Sequence, residues 1–256
     1  MAGVNFQQLY AKFREIDTFA AALRSATADV AGKVDFGHVK SCLAFATHSG
    51  EREMEFARRL LPNLRSFTAV DRDSNAVKAL RANFQKGLLP GVQTSVIETS
   101  IESWSGGEKN IDAVFLFNAL GSVKAADRKA LFEKLATQSM SDGGMVVIAN
   151  NITSVPSGYT LLVERLGTPR VDYDVVEKEM VAAGFRVVYK QDFKFHRDLS
   201  NPSNDTIEMF EFLTGRSESE IRTAIDSIFS QPNMDVVSNK LAIFTKQVES
   251  ALCCGD

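Results

Sequence analysis

Asp71 closes the second of two apolar segments that flank a short loop, Ala46-Thr47-His48-Ser49-Gly50, and a helix-forming stretch. A carboxylate at that place in a strand, loop, helix, strand succession is where an open parallel sheet holds a ribose hydroxyl, with the loop passing beneath the ligand. Gly50 suits either close approach of backbone to a ligand or an ordinary turn, while Ala46 and His48 fill places that such loops usually give to glycine. His48 could stack on or hydrogen-bond a ligand, or block it. Further polar residues stand where other apolar segments end. Ser100 reads as a ligand contact or as a cap before Glu102, and Asn118 as a strand-end cap or a pocket amide. Phe117 faces either the core or a ligand. His196, close to Asp198, has a side chain that titrates near neutrality and suits a base.

The elements that position these residues follow from patterning. Phe6 to Thr27 carries apolar residues at helical spacing (Leu9, Phe13, Ile16, Phe19, Leu23), which predicts one or two amphipathic helices capping the crevice. Val39–Ala46 and Ser66–Val70 predict strands around a helix, Glu51–Leu61, that Pro62 ends. Ser74 is placed to cap a helix to Phe84, and Gln93–Ile97 predicts a third strand. Ile111–Phe117 is continuously apolar, as expected of a strand covered on both faces. A helix over Asp127–Ala136 leads through the turn Asp142-Gly143-Gly144 to a strand, Met145–Ala149. Beyond Asn150 the spacing predicts helices over Tyr159–Leu166, Asp174–Ala183, Asp205–Leu213 and Ser217–Phe229, and strands over Phe185–Phe195 and Leu241–Thr245.

The 256 residues and a net charge of −3 suit one α/β domain and argue against a general nucleic-acid or acidic-membrane binder, since phosphate binding relies on clustered Lys and Arg. No apolar run approaches the length of a membrane span, and Met1 to Gln8 lacks the character of a signal peptide. A small-molecule role in the cytoplasm is the expectation. Cys42 lies inside a predicted strand and Cys253-Cys254 in the tail, which is neither a disulfide framework nor a metal-ligand cluster. No metal is expected.

The ordered segments SCLAFATHSGERE, FTAVDRD, IETSIESW, AVFLFNALGSV, HRDLSNPSNDTIEMFEFLTG and SNKLAIFTK span nearly the whole chain. In this order they resemble the S-adenosylmethionine-dependent methyltransferases of the Rossmann-like class, and within it the histamine N-methyltransferase family. The resemblance implies a seven-stranded, mostly parallel sheet with one antiparallel strand, flanked by helices. It implies one domain over 1–256, with an N-terminal helical cap over 1–35 and substrate-side insertions over 150–235. The implied cofactor is S-adenosyl-L-methionine, leaving as S-adenosyl-L-homocysteine. Asp71 would bind its ribose and Ser100 would lie by its adenine. Ala46, His48, Gly50 and Phe117 would complete the cofactor site.

The same resemblance places Asn118 and Asn239, the latter opening the last strand, on the substrate amine. There amide oxygens can accept N–H bonds and orient a lone pair. Ala22 stands where the family has a glutamate against histamine, and Tyr159 and Val163 where it has pocket tryptophans, which argues against histamine itself. Arg170 falls near a pocket tyrosine of the family, and an arginine there would favour a carboxylate-bearing substrate. The expected activity is methyl transfer to nitrogen of a small amine or N-heterocycle by a monomer, with His196 as a base. Alternatives are an oxygen or carboxyl acceptor on the same fold, or a catalytically silent binder of a ligand or protein.

Overall fold

The computed structural model describes residues 16–121, 123–168 and 170–247, together with Leu9, Lys12 and Phe13. The Cys253-Cys254 pair, Met1 to Gln8 and part of the predicted N-terminal helix lie outside the described residues. In chain order the elements are α1 (Phe19–Val30), β1 (Ser41–Phe45), α2 (Glu51–Leu60), β2 (Ser66–Asp71), α3 (Ser74–Gln85) and β3 (Gln93–Glu98). Then come β4 (Ile111–Phe117), α4 (Ala125–Lys134), β5 (Met140–Asn151), α5 (Gly158–Arg165), α6 (Tyr173–Ala182), β6 (Phe185–His196), α7 (Asn204–Thr214), α8 (Glu218–Phe229) and β7 (Val236–Lys246).

The strands form one seven-stranded sheet in the order β3-β2-β1-β4-β5-β7-β6. Strands β1 to β5 are parallel, and β7 runs antiparallel to both β5 and β6. The strand order reverses between β1 and β4, so the crevice at their carboxyl ends is the place where such a sheet takes a ligand.

Alternation along the central strands divides the core between the two faces of the sheet. Ala44, Phe115, Phe117, Val147, Ala149 and Ile243 face α1, α2, α5, α7 and α8. Leu43, Phe45, Val114, Leu116, Val146, Ile148 and Phe244 face α4 and α6. The uninterrupted apolar run of β4 is the direct consequence of this double burial. Cys42 belongs to the first of these cores, and burial, followed by the charge of Glu53, holds its thiol well above the usual range. A protonated thiol in that position is a packing group.

Four sequence expectations are corrected. Helix α3 is capped by Asp73, not Ser74, its carboxylate accepting from Asn75 N at 2.8 Å and Ala76 N at 3.0 Å. An aspartate two residues past a strand end reaches the second and third amides of the helix better than a serine one residue later. The helix over 125–134 passes into a π-helical turn, Leu135–Ser139, before β5. Asp142-Gly143-Gly144 lies within β5 as an irregularity in the β4 pairing, not before it. There Gly144 leaves no room for a Cβ, which would meet Ser141 O at 2.9 Å and Ile111 O at 3.1 Å. Finally, β7 begins at Val236, five residues before the predicted start, because it pairs with β6 along its length, from Val236 opposite His196 to Lys246 opposite Phe185. Partnership with a long neighbour extends a segment whose own polar residues give no strand pattern.

Candidate functional site

A cavity of about 480 Å³ opens at the carboxyl ends of β1, β2 and β4, within the range of ~300–1,000 Å³ typical of small-molecule sites. Its floor is the loop after β1. Ala46, His48 and Gly50 all hold left-handed backbone, with φ of 52°, 49° and 73°. The glycine-loop path is thus retained although two of its glycines are absent, at a strain of roughly 1–2 kcal/mol for each side chain forced into that region. Asn83 Nδ2, from α3, donates to Ser49 O at 2.9 Å and ties the loop down from behind.

Asp71 is 6% exposed and organises this floor. Its Oδ2 accepts from His48 N at 2.9 Å and its Oδ1 from Asp73 N at 3.0 Å. Each carboxylate oxygen keeps a further lone pair for a hydroxyl. The loop amide that a phosphate would require is therefore already engaged by a carboxylate. At the first turn of α2, moreover, the anion-binding place carries Glu51 and the buried Glu53. Both features disfavour a dinucleotide phosphate at the loop.

Ser100 and Ile101 border the cavity beyond Asp71. Ser100 Oγ also accepts from Ser103 N at 3.1 Å, so its capping and lining roles coexist. Phe117 likewise does both things asked of it: it borders the cavity and stacks on Phe115, with centroids 5.4 Å apart. Thr47 Oγ1, in the loop, is a buried hydroxyl without a partner. Such an atom fits a site completed by a polar ligand.

The other half of the cavity is bordered by Asn118, Ala119 and Val123 after β4, by Arg170, and by Phe212 and Leu213 of α7. Asn118 also has positive φ, 54°, and its amide N–H bonds Ala149 O at 2.7 Å, turning the chain away from the sheet. The two asparagines meet, Asn239 Nδ2 donating to Asn118 Oδ1 at 3.3 Å. Asn239, however, is fully buried in mid-strand, and its Oδ1 has no partner. It stands behind Asn118 and orients that side chain, and Asn118 alone of the two borders the cavity.

His196 is placed elsewhere. It ends the outermost strand, three strand spacings or roughly 14 Å from β4, with its side chain 64% exposed and its Nδ1 2.8 Å from Asp235. The base expected at this position is corrected on that ground: one long hairpin, β6–β7, carries His196 past the end of the crevice.

Tyr159 does not border the cavity but lies beneath Arg170. Its ring is buried between two guanidinium groups, Arg197 Cζ at 4.1 Å and Arg170 Cζ at 5.5 Å from its centroid, and Arg170 Nη2 donates to its hydroxyl at 2.5 Å. Burial opposes ionisation of this phenol, but the charges of Arg170 and Arg197 and the hydrogen bond from Arg170 outweigh it and hold its pKa below the ordinary value. Burial, joined by carboxylate neighbours, pushes Tyr173 and Tyr189 the other way. A spectrophotometric titration at alkaline pH is thus expected to show one tyrosine ionising early, a phase that Tyr159→Phe removes. Because the folded pKa is depressed, the native state releases this proton first, and stability gains as pH rises from that pKa toward the unfolded value near ~10.

Sequence reasoning missed Arg52, Glu53, Ile101, Phe212 and Leu213. The first two sit in the first turn of α2, within reach of a helical-wheel argument from the loop. The two α7 residues carry no local signal, since only the path of the chain from β6 returns that helix to the cavity.

No protein-family model matches the chain, and neither does any curated protein sequence. Solved structures do match in shape. A Bacillus halodurans protein assigned as a methyltransferase aligns over 88% of this chain and 100% of its own, at TM-score 0.63 and 14% identity. The fold is that of the class I methyltransferases. The N-methyltransferase NodS of Bradyrhizobium japonicum aligns over 89% and 98% (TM-score 0.53, 12% identity). The cyclopropane synthase MmaA2 of Mycobacterium tuberculosis aligns over 86% and 83% (TM-score 0.56, 10% identity). Among the described residues no helix is long and apolar enough to cross a membrane.

Proposed function

We propose that this chain is an S-adenosylmethionine-dependent methyltransferase acting on nitrogen of a small amine or N-heterocycle. The observation that carries the reading is the cavity at the β1/β4 reversal, with a two-amide-anchored Asp71 on one side and Asn118 on the other. The methyltransferase fold and an N-methyltransferase among the structural neighbours support it. The residues present fit the cofactor: the loop holds its left-handed path, Thr47 Oγ1 has no partner among the described residues, and Asp71 keeps lone pairs for ribose hydroxyls.

When bound, S-adenosylmethionine supplies a methyl carbon whose bond to sulfur breaks as the acceptor nitrogen's lone pair forms the new bond, leaving S-adenosylhomocysteine. Asp71 would accept the ribose hydroxyls, and Ser100, Ile101 and Phe117 would help to hold the adenine. Asn118, steadied by Asn239, would hold the acceptor in line, because alignment is most of what a displacement requires of a protein. Leu213 and Phe212 would screen the reacting centre from water. With His196 remote, an acceptor ammonium would give its proton to water or to a cavity carboxylate such as Glu53.

Calorimetric titration with S-adenosylmethionine and S-adenosylhomocysteine tests the cofactor, and mass spectrometry of an amine panel incubated with methyl-labelled cofactor tests the acceptor. Absence of binding at millimolar concentration would overturn the reading. Label found only on oxygen would move it to the alternative acceptor class.

His48, which borders the cavity, favours a second reading in which the crevice no longer takes the cofactor. Glycine is compatible with the φ of 49° at this position, so His48→Gly removes the side chain while the loop can keep its path. Under the proposed function, cofactor affinity stays level or falls. A gain of about tenfold or more, equivalent to ~1.4 kcal/mol, would mark His48 as an obstruction.

A further inference from the structure

The fold supplies carboxylates to the two arginines it buries, Arg128 and Arg197, and to the part-buried Arg52, but none among the described residues to the part-buried Arg170. Arg128 pairs with Glu179 at 2.8 Å and Arg197 with Asp17 at 2.6 Å, and Arg52 lies 3.9 Å from the same aspartate. Arg170 forms no ion pair with any described residue. Among the described residues its one hydrogen-bond partner is the Tyr159 hydroxyl, and its Nε is buried without one. What sets Arg170 apart is the missing carboxylate: its part-buried guanidinium borders the cavity and leaves N–H donors for an anionic group there.

The backbone is shaped to admit it. A Cβ at Gly121, in the loop after β4, would meet Arg170 Nη1 at 2.5 Å and Cδ at 2.8 Å. Gly121 is absent from the positive-φ glycines, so a side chain here would disturb the contact with Arg170 and not the backbone conformation. The loop lies flush on the guanidinium while the side chain borders the cavity. Its position is on the β4–β5 side of the strand reversal, across the crevice from Asp71 and next to Asn118. That is the acceptor's half.

We propose that Arg170 selects a methyl acceptor that carries a carboxylate, with Tyr159 as the positioning residue that holds the guanidinium and Gly121 as the opening through which it reaches the cavity. A planar fork with no internal counter-charge matches a carboxylate in both shape and charge. The acceptor class becomes an amine or N-heterocycle acid. This rests on the methyltransferase reading for the word acceptor, but not for the binding of the carboxylate.

Matched probes test it: nicotinate against nicotinamide, and imidazole-4-acetate against histamine, titrated by calorimetry into protein saturated with S-adenosylhomocysteine. The carboxylate member of each pair is expected to bind about 10- to 100-fold more tightly, the range of a charge-assisted hydrogen-bonded pair. Arg170→Met should abolish that preference and leave S-adenosylhomocysteine affinity unchanged. Tyr159→Phe, which keeps the ring but frees the guanidinium, should reduce the preference while the probes that lack a carboxylate bind as before, a readout that general loosening would not give. Arg170→Lys keeps the charge without the fork, and its intermediate preference serves if Arg170→Met fails to fold. Equal affinity within each pair, or a preference that survives Arg170→Met, overturns the proposal. So does a parallel loss of S-adenosylhomocysteine binding, which would assign Arg170 to the cofactor's own carboxylate. If S-adenosylhomocysteine does not bind the unaltered protein, the methyltransferase reading fails, and the same titrations without it still decide whether Arg170 takes carboxylates.

Discussion

Asp71→Ala is expected to reduce affinity for S-adenosylmethionine by about a hundredfold or more, since two hydroxyl bonds to a carboxylate at ~1.5–3 kcal/mol each would be lost. The effect has a second source. Asp71 also anchors the loop by accepting from His48 N at 2.9 Å and Asp73 N at 3.0 Å, so its removal frees the left-handed segment from Ala46 to Gly50 to relax. Asp71→Asn separates the two contributions: the amide oxygen can still accept one loop N–H, while its NH2 must point at a donor. Calorimetric titration of both variants, with circular dichroism to verify folding, checks the expectation. Unchanged affinity in Asp71→Ala would remove Asp71 from the cofactor site and with it the orientation assigned to the whole cavity.

Glu179→Ala is expected to destabilise the fold by about 3–5 kcal/mol, the range for breaking a buried ion pair from one side. Arg128, on α4, and Glu179, on α6, have side chains only 6% and 8% exposed, and they meet through two bonds of 2.8 Å. Arg128 Nη1 also donates to Val123 O at 2.5 Å, and Val123 borders the cavity. Removal of the carboxylate leaves a buried guanidinium with a carbonyl for company. Denaturant unfolding should show the lowered midpoint. The double variant Arg128→Met, Glu179→Leu should recover much of the loss, because matched apolar groups replace the pair without leaving a charge behind. Recovery would show that the pair adds little net stability over matched apolar groups.

The two asparagines show how a site can be legible in part. Their residue type and their places at the ends of β4 and near the last strand pointed to a polar pocket, and they do form a hydrogen-bonded pair. What the sequence concealed was depth. β7 runs from Val236, so Asn239 is an interior strand residue whose partner is chosen by register with β5, where it stands opposite Asn151. Register is a property of two strands together and cannot be read from one. His196 is the opposite case. Its chemistry was suitable, but strand order put two strands between it and β4.

By itself the sequence determined the succession of elements, the doubly buried β4 and the carboxylate at the end of β2, because periodicity, apolar runs and loop length act over a few residues. From these the parallel sheet and the crevice at its reversal follow. Tertiary structure alone decided the rest: that Ala46 and His48 keep the path of a glycine loop, that α7 returns over the cavity, and that Arg170 passes Gly121 to reach it without a counter-charge. Each of these depends on contacts between segments far apart in the chain, whose energies no local pattern encodes.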